Sequence, residues 1–179
     1  LDTYAFTWSG TLVRNNLSCV IDAPHSALNM YGLYASQGKQ HVDNCTRVDH
    51  RQPHTMSNEL YKGLIMDEAT GVFNGSIYVL PEAQKTQAFQ ANHNLVLSEQ
   101  ATLHTKPQLE IWADDVRCSH GATTGQLDPG HLFYLRSRGI PAAMAQLLLR
   151  RAFAQEIIDK IPLAALKTHL HESLDIRIS

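Results

Sequence analysis

The chain has 179 residues, enough for one domain, or one large domain with an appendage, and for a buried core. Its formal charge of −2 at pH 7 argues against a strongly basic nucleic-acid binder and provides no pull toward anionic lipid. No apolar run approaches the roughly 20 residues of a membrane-spanning helix.

The opening LDTYAFTW has neither a start methionine nor the basic-then-apolar order of a signal peptide. The chain is therefore expected to be the C-terminal piece of something longer. Cys19, Cys45 and Cys118 are odd in number and widely spaced. They make a poor disulfide framework and suit a reducing compartment.

Up to about residue 126, apolar residues recur in short alternating runs. Leu17–Cys19–Ile21, Leu64–Met66, Ile77–Val79, Leu95–Leu97 and Leu109–Ile111–Ala113 each read as a half-buried strand with period two. DEATG (67–71), FNGS (73–76) and PEAQ (81–84) between them have the chemistry of tight turns. Many short strands suggest a sandwich, a barrel or a β-solenoid. Only Asn74–Gly75 offers a hairpin turn. QHVDNCTRVDH (40–50) and QANHN (90–94) instead suit the stacked side-chain ladders of a parallel β-helix. Of the ten histidines, His41, His50 and His54 share one region without tight ligand spacing. They read as surface or ladder residues.

The composition then changes. Asp128–Pro129 is a helix start, with an N-cap acid before a first-turn proline. HLFYLRSR (131–138) supplies two turns and Gly139 a stop. Pro141 opens AAMAQLLLRRAFAQEIIDKI, where Leu149, Phe153, Ile157 and Ile161 follow i, i+4 steps. Met144 and Leu148 continue beside them. Pro162 breaks that helix, and LAALKTHLHESL forms a last short one. The division is thus a β core over 1–126 and a helical domain over 127–179. The apolar surface of 142–154 is open to two uses, packing on the β core and docking a partner.

The densest chemistry lies in ADDVRCSHGATTGQL (113–127). Cys118 and His120 are two apart, so on one strand they point to the same side. That suits shared ligation of iron or zinc better than a nucleophile–base pair. Two ligands cannot close a tetrahedral site, and a packed Cys beside an exposed His stays open as the simpler outcome. Asp114 and Asp115 face opposite ways and cannot act as paired carboxylates. GATTG (121–125) lacks the Lys of a phosphate loop and reads as a tight turn.

LHTKPQLEIWADDVRCSHGATTGQLD, followed by LFYLRSRGI (103–140), resembles the SufB/SufD family of the SUF iron–sulfur cluster assembly system, with wording closest to SufD. NLVLSEQA and HVDNCTRVDH (41–50) fit the same family. The resemblance implies a right-handed parallel β-helix followed by a small α-helical C-terminal domain. It also implies a non-catalytic scaffold that pairs with SufB through the β-helix and docks the SufC ATPase through the helical tail. The docking candidates are Leu132, Phe133, Leu135, Arg136, Met144, Leu147, Leu148 and Arg151.

By the same resemblance, His120 would be the residue implicated in cluster assembly at the SufB interface, with Cys118 accompanying it. Iron or a transient cluster is held there only in the full complex, and none stably in this chain. Cys45 departs from the His often found at its position in the family. The expected compartment is the bacterial cytoplasm, or a plastid. The alternatives are a SufB-type scaffold and a β-helical carbohydrate-active enzyme, which would need at least three converging charged groups plus exposed aromatics.

Overall fold

A computed structural model describes residues 1–178. Nine strands come first: β1 (Asp2–Thr7), β2 (Leu12–Ile21), β3 (Ala27–Ser36), β4 (His41–His50), β5 (Met56–Ile65), β6 (Thr70–Val79), β7 (Gln87–Val96), β8 (Thr102–Ile111) and β9 (Arg117–Gly125). Three helices follow: α1 (Pro129–Ser137), α2 (Ala142–Ile158) and α3 (Ala164–Ile178). Odd strands form one sheet in the order β1-β3-β5-β7-β9 and even strands another, β2-β4-β6-β8. All neighbours are parallel. The chain is therefore a parallel β-helix of four two-stranded coils, with β9 as a final half coil.

Each strand has one face toward the lumen between the sheets. The lumen is apolar at its edges, around Val48, Phe73 and Ile77 on one side and Val42 and Ile65 on the other. A polar stripe runs between them. Tyr34 Oη donates to Asn94 Oδ1 at 2.5 Å, and Asn94 Nδ2 to Asn92 Oδ1 at 2.7 Å. Thr105 Oγ1 also donates to Asn92 Oδ1, at 2.8 Å. These bonds offset the desolvation of groups that would otherwise be orphaned. Gly63 makes the stripe possible, since a Cβ there would lie 2.4 Å from Asn94 Oδ1 and 2.5 Å from the Tyr34 ring.

Two expected turns are strands instead. Asn74–Gly75 lies inside β6, and GATTG (121–125) ends β9. A solenoid has corners and no hairpins. Gly75 serves space rather than a positive φ, because its Cβ would meet Gln90 Nε2 at 2.4 Å. The ladder segments behave as expected, with QHVDNCTRVDH forming β4 and QANHN lying within β7. His50 is fully buried, bridging Thr55 Oγ1 at 2.7 Å and Ser57 Oγ at 2.9 Å.

The helices begin where the sequence signals place them. The Asp128 carboxylate accepts from Gly130 N and His131 N, which also holds its pKa below the usual value. α2 stops at Ile158, short of Ile161, since a residue before proline disfavours helix. α3 runs four residues past Leu174, to Ile178. The buried stripe is Ala154, Ile157, Ile158 and Ile161, joined by Leu170, Leu174 and Ile178 of α3. Leu149 is half-buried and outside that cluster. The stripe packs on the outer face of the odd sheet, against Leu33 and Leu64. Lys62 anchors the same contact, donating to Phe153 O at 2.9 Å and pairing with Glu156. One outer sheet face is thus covered by the chain's own tail.

Candidate functional site

Cys118 and His120 lie on β9, in register with Ala88 and Gln90 of β7. Ala88 and Gln90 are buried lumen residues, so by strand parity Cys118 and His120 face the lumen as well. The even sheet ends at β8, so β9 faces β8 from one side only and no later even strand covers it. The two side chains therefore overhang the open rim of the solenoid. Cys118 is half-buried against the lumen core, and His120 is exposed.

Burial pushes the Cys118 thiol up from its ordinary value, and a hydrogen bond with the backbone of Ala88 offsets part of that shift. A protonated thiol is a poor ligand. Imidazole is a competent ligand for iron, and His120 is the more exposed of the two side chains. All three cysteines are free. Among the described residues, no three His, Cys, Asp or Glu side chains converge on a metal-sized site. The pair is half of a site at most.

The corner before β9 is pinned to the coil below. Asp115 N donates to Gln84 Oε1 at 3.0 Å, Lys85 N donates to Asp115 O at 2.6 Å, and Lys85 Nζ pairs with the Asp115 carboxylate. Asp114 and Asp115 lie in the corner between β8 and β9 and not on a strand, and both are exposed. β9 itself is the last strand of its sheet, with one backbone edge unpaired.

The docking candidates divide by exposure. Phe133, Met144 and Leu148 are 75%, 48% and 38% exposed, and Arg136 and Arg151 are exposed too. Arg151 pairs with Asp175 at 3.5 Å. Leu132 and Leu135 are half-buried, while Leu147 packs inward against the cluster beneath α2. Tyr134, 56% exposed, belongs to the same surface and was not singled out by the sequence pattern. α1 buries none of its residues, so its apolar side chains remain available.

A family model for the SufBD core domain, described as SUF system FeS cluster assembly, matches residues 1–153. The chain belongs to the SufBD family. It is 42% identical over 166 residues to an iron-sulfur cluster assembly SufBD family protein of Synechocystis, covering 93% of this chain and 37% of that relative. It is 38% identical over 159 residues to the iron-sulfur cluster assembly protein SufD of Escherichia coli, with 89% and 38% covered. A chloroplastic protein of Arabidopsis thaliana is 33% identical over 154 residues, with 86% and 32% covered. The chain thus spans less than two fifths of the length of these relatives. Among the described residues, no helix is long and apolar enough to cross a membrane.

Proposed function

We propose that this chain is the SufD-type scaffold half of a cluster-assembly complex, with His120 as an iron or cluster ligand and Cys118 as its accessory. The observation that carries this reading is the same-side Cys118–His120 pair on the open rim of the solenoid, beside an unpaired strand edge. An incomplete site on an unpaired edge is a natural place for a second chain, and SufB is the proposed partner. The partner continues the sheet along β9 and supplies the missing ligands. The cluster is cargo here. A histidine ligand is displaced more easily than a thiolate, which suits a scaffold that must hand its product on.

The exposed Phe133, Met144 and Leu148 support docking of the SufC ATPase on the α1–α2 surface. The chain needs no catalytic group of its own in this role. A cytoplasmic or plastid setting is consistent with the free cysteines and with the chloroplastic relative.

The deciding experiment reconstitutes the full-length SufB–SufC–SufD complex with His120→Ala and measures iron and sulfide. A loss of cluster with the complex still assembled is expected. Normal cluster content would remove His120 from the ligand role. In the same complex, Phe133→Asp and Leu148→Asp should each weaken SufC binding by about tenfold or more. Unchanged binding in both would remove the docking surface.

A further inference from the structure

One coil below His120, paired with it in register and on the same lumen face, lies Gln90. Gln90 is 3% exposed, and its amide is held from beneath, with Nε2 donating to Glu59 Oε2 at 2.7 Å. Glu59 is Gln90's own register partner in the coil below and is also 3% exposed. The space for the Gln90 amide comes from Gly75, where any side chain would collide with it.

Because the nitrogen is committed to Glu59, the other end of the amide is directed elsewhere. Gln90 Oε1 is buried and has no hydrogen-bond partner among the described residues. A buried carbonyl in that state is destabilising until a donor reaches it. The neighbouring strand lies ~4.8 Å away and brings the His120 imidazole over Gln90. No hydrogen bond from the His120 ring is found among the described residues, so the ring is at liberty to turn onto that oxygen.

We propose that Gln90 is a positioning residue for His120: its amide oxygen accepts one ring N–H and leaves the other ring nitrogen unprotonated at the rim. Glu59 sets the direction of the amide. A histidine ligand whose second nitrogen donates to a fixed acceptor has a defined tautomer and ring orientation. The column Glu59–Gln90–His120 thus carries information from a buried carboxyl to the exposed ligand atom. This inference rests on the proposed ligand role of His120 only for what the exposed nitrogen binds.

The test needs no metal. The full-length protein is labelled with ¹⁵N-histidine, and ring-nitrogen shifts are read in mildly alkaline buffer, with exposed His169 as the internal reference. His120 is expected to favour one tautomer over the His169 ratio by roughly fivefold, as one net hydrogen bond supports. Gln90→Met, which removes the acceptor at similar volume, should return His120 to the reference ratio. An unchanged ratio in that variant would overturn the proposal. So would a wild-type His120 indistinguishable from His169, a measurement that stands even if the variant fails to fold. If tautomer preference is absent while His120→Ala still abolishes cluster formation, only the positioning role falls. If the preference is present while His120→Ala assembles normally, only the ligand role falls.

Discussion

β7 and β9 are neighbours in one sheet, in register, with the same faces turned to the lumen. Gln90, Asn92 and Asn94 of β7 are buried and tied into the polar stripe, whereas His120 and its successors on β9 are exposed. The strand chemistry barely differs. What differs is that β7 has coils on both sides, pairing with β5 and β9 and facing β6 and β8, whereas β9 pairs only with β7 and faces only β8. A solenoid makes an interior wherever a coil is complete and a site wherever one is not. The same alternation that builds a core in one coil leaves side chains uncovered in the next.

The largest expected effect comes from emptying the closed part. Phe73 is fully buried and its ring packs on Tyr61 at 5.2 Å. Phe73→Ala should lower unfolding free energy by about 3–5 kcal/mol in denaturant titration. A loss below about 1 kcal/mol would mean that the closed coils are not a packed interior, and the contrast with β9 would dissolve.

Acid probes the same interior through His50. Burial lowers its pKa from 6.5 to about 4. Between those values the unfolded chain takes up a proton that the folded chain refuses. Stability should therefore fall as pH drops through this window and level off below it, by roughly 2–3 kcal/mol in total. Glu59, whose carboxyl is pushed up by burial, contributes the opposite slope. The share of His50 is accordingly the difference between wild type and His50→Gln in melts across the window. Parallel curves for the two would show that His50 is not held neutral by the lumen.

Next in size is a pair of glycines, Gly75 on the lumen face of β6 and Gly121 on the outer face of β9. Gly75→Ala places a methyl 2.4 Å from Gln90 Nε2 and 2.8 Å from the Phe73 ring, so about 1–3 kcal/mol should be lost. Gly121 on β9 has nothing within 4 Å of the same added atom, and Gly121→Ala should stay within about 0.5 kcal/mol of wild type. Equal losses in thermal melts would mean that Gly75 does not face a packed interior.

How much of this was legible in the sequence varied with how local the cause was. Strand character and helix starts were readable, because period-two runs such as Leu17–Cys19–Ile21 and the Asp128–Pro129 cap act within a few residues. The coil repeat was not, since register partners lie 29 residues apart at Leu12–His41 and 32 apart at Thr70–Thr102. Corners of unequal length blur the period. Asn74–Gly75 looked like a hairpin because glycine answers two different needs, a positive φ or an absent Cβ. The need here is imposed by Gln90 on another strand. In the tail, Ile157 and Ile161 were found, but Leu149 was not buried with them, because the odd sheet takes up the stripe from Ala154 onward. At the site, spacing showed that Cys118 and His120 share a side. That the side is the lumen, and that the even sheet stops at β8, depends on the whole coil count.

The smallest expected effect is the most telling about β9. His120 is exposed on an edge strand, and it fills no part of the lumen core. Removing its ring leaves no cavity and orphans no group beyond Gln90 Oε1, which lacks a partner in the structure already. His120→Ala should thus cost no more than its one net hydrogen bond to Gln90 Oε1, about 1 kcal/mol, in the isolated chain. A residue proposed for cluster assembly that adds little to stability is what an incomplete coil predicts. A loss above about 2 kcal/mol would mean that the ring fills the lumen as well as bonding Gln90 in the uncomplexed protein. The rim would then be part of the core, and β9 would differ from β7 in degree and not in kind.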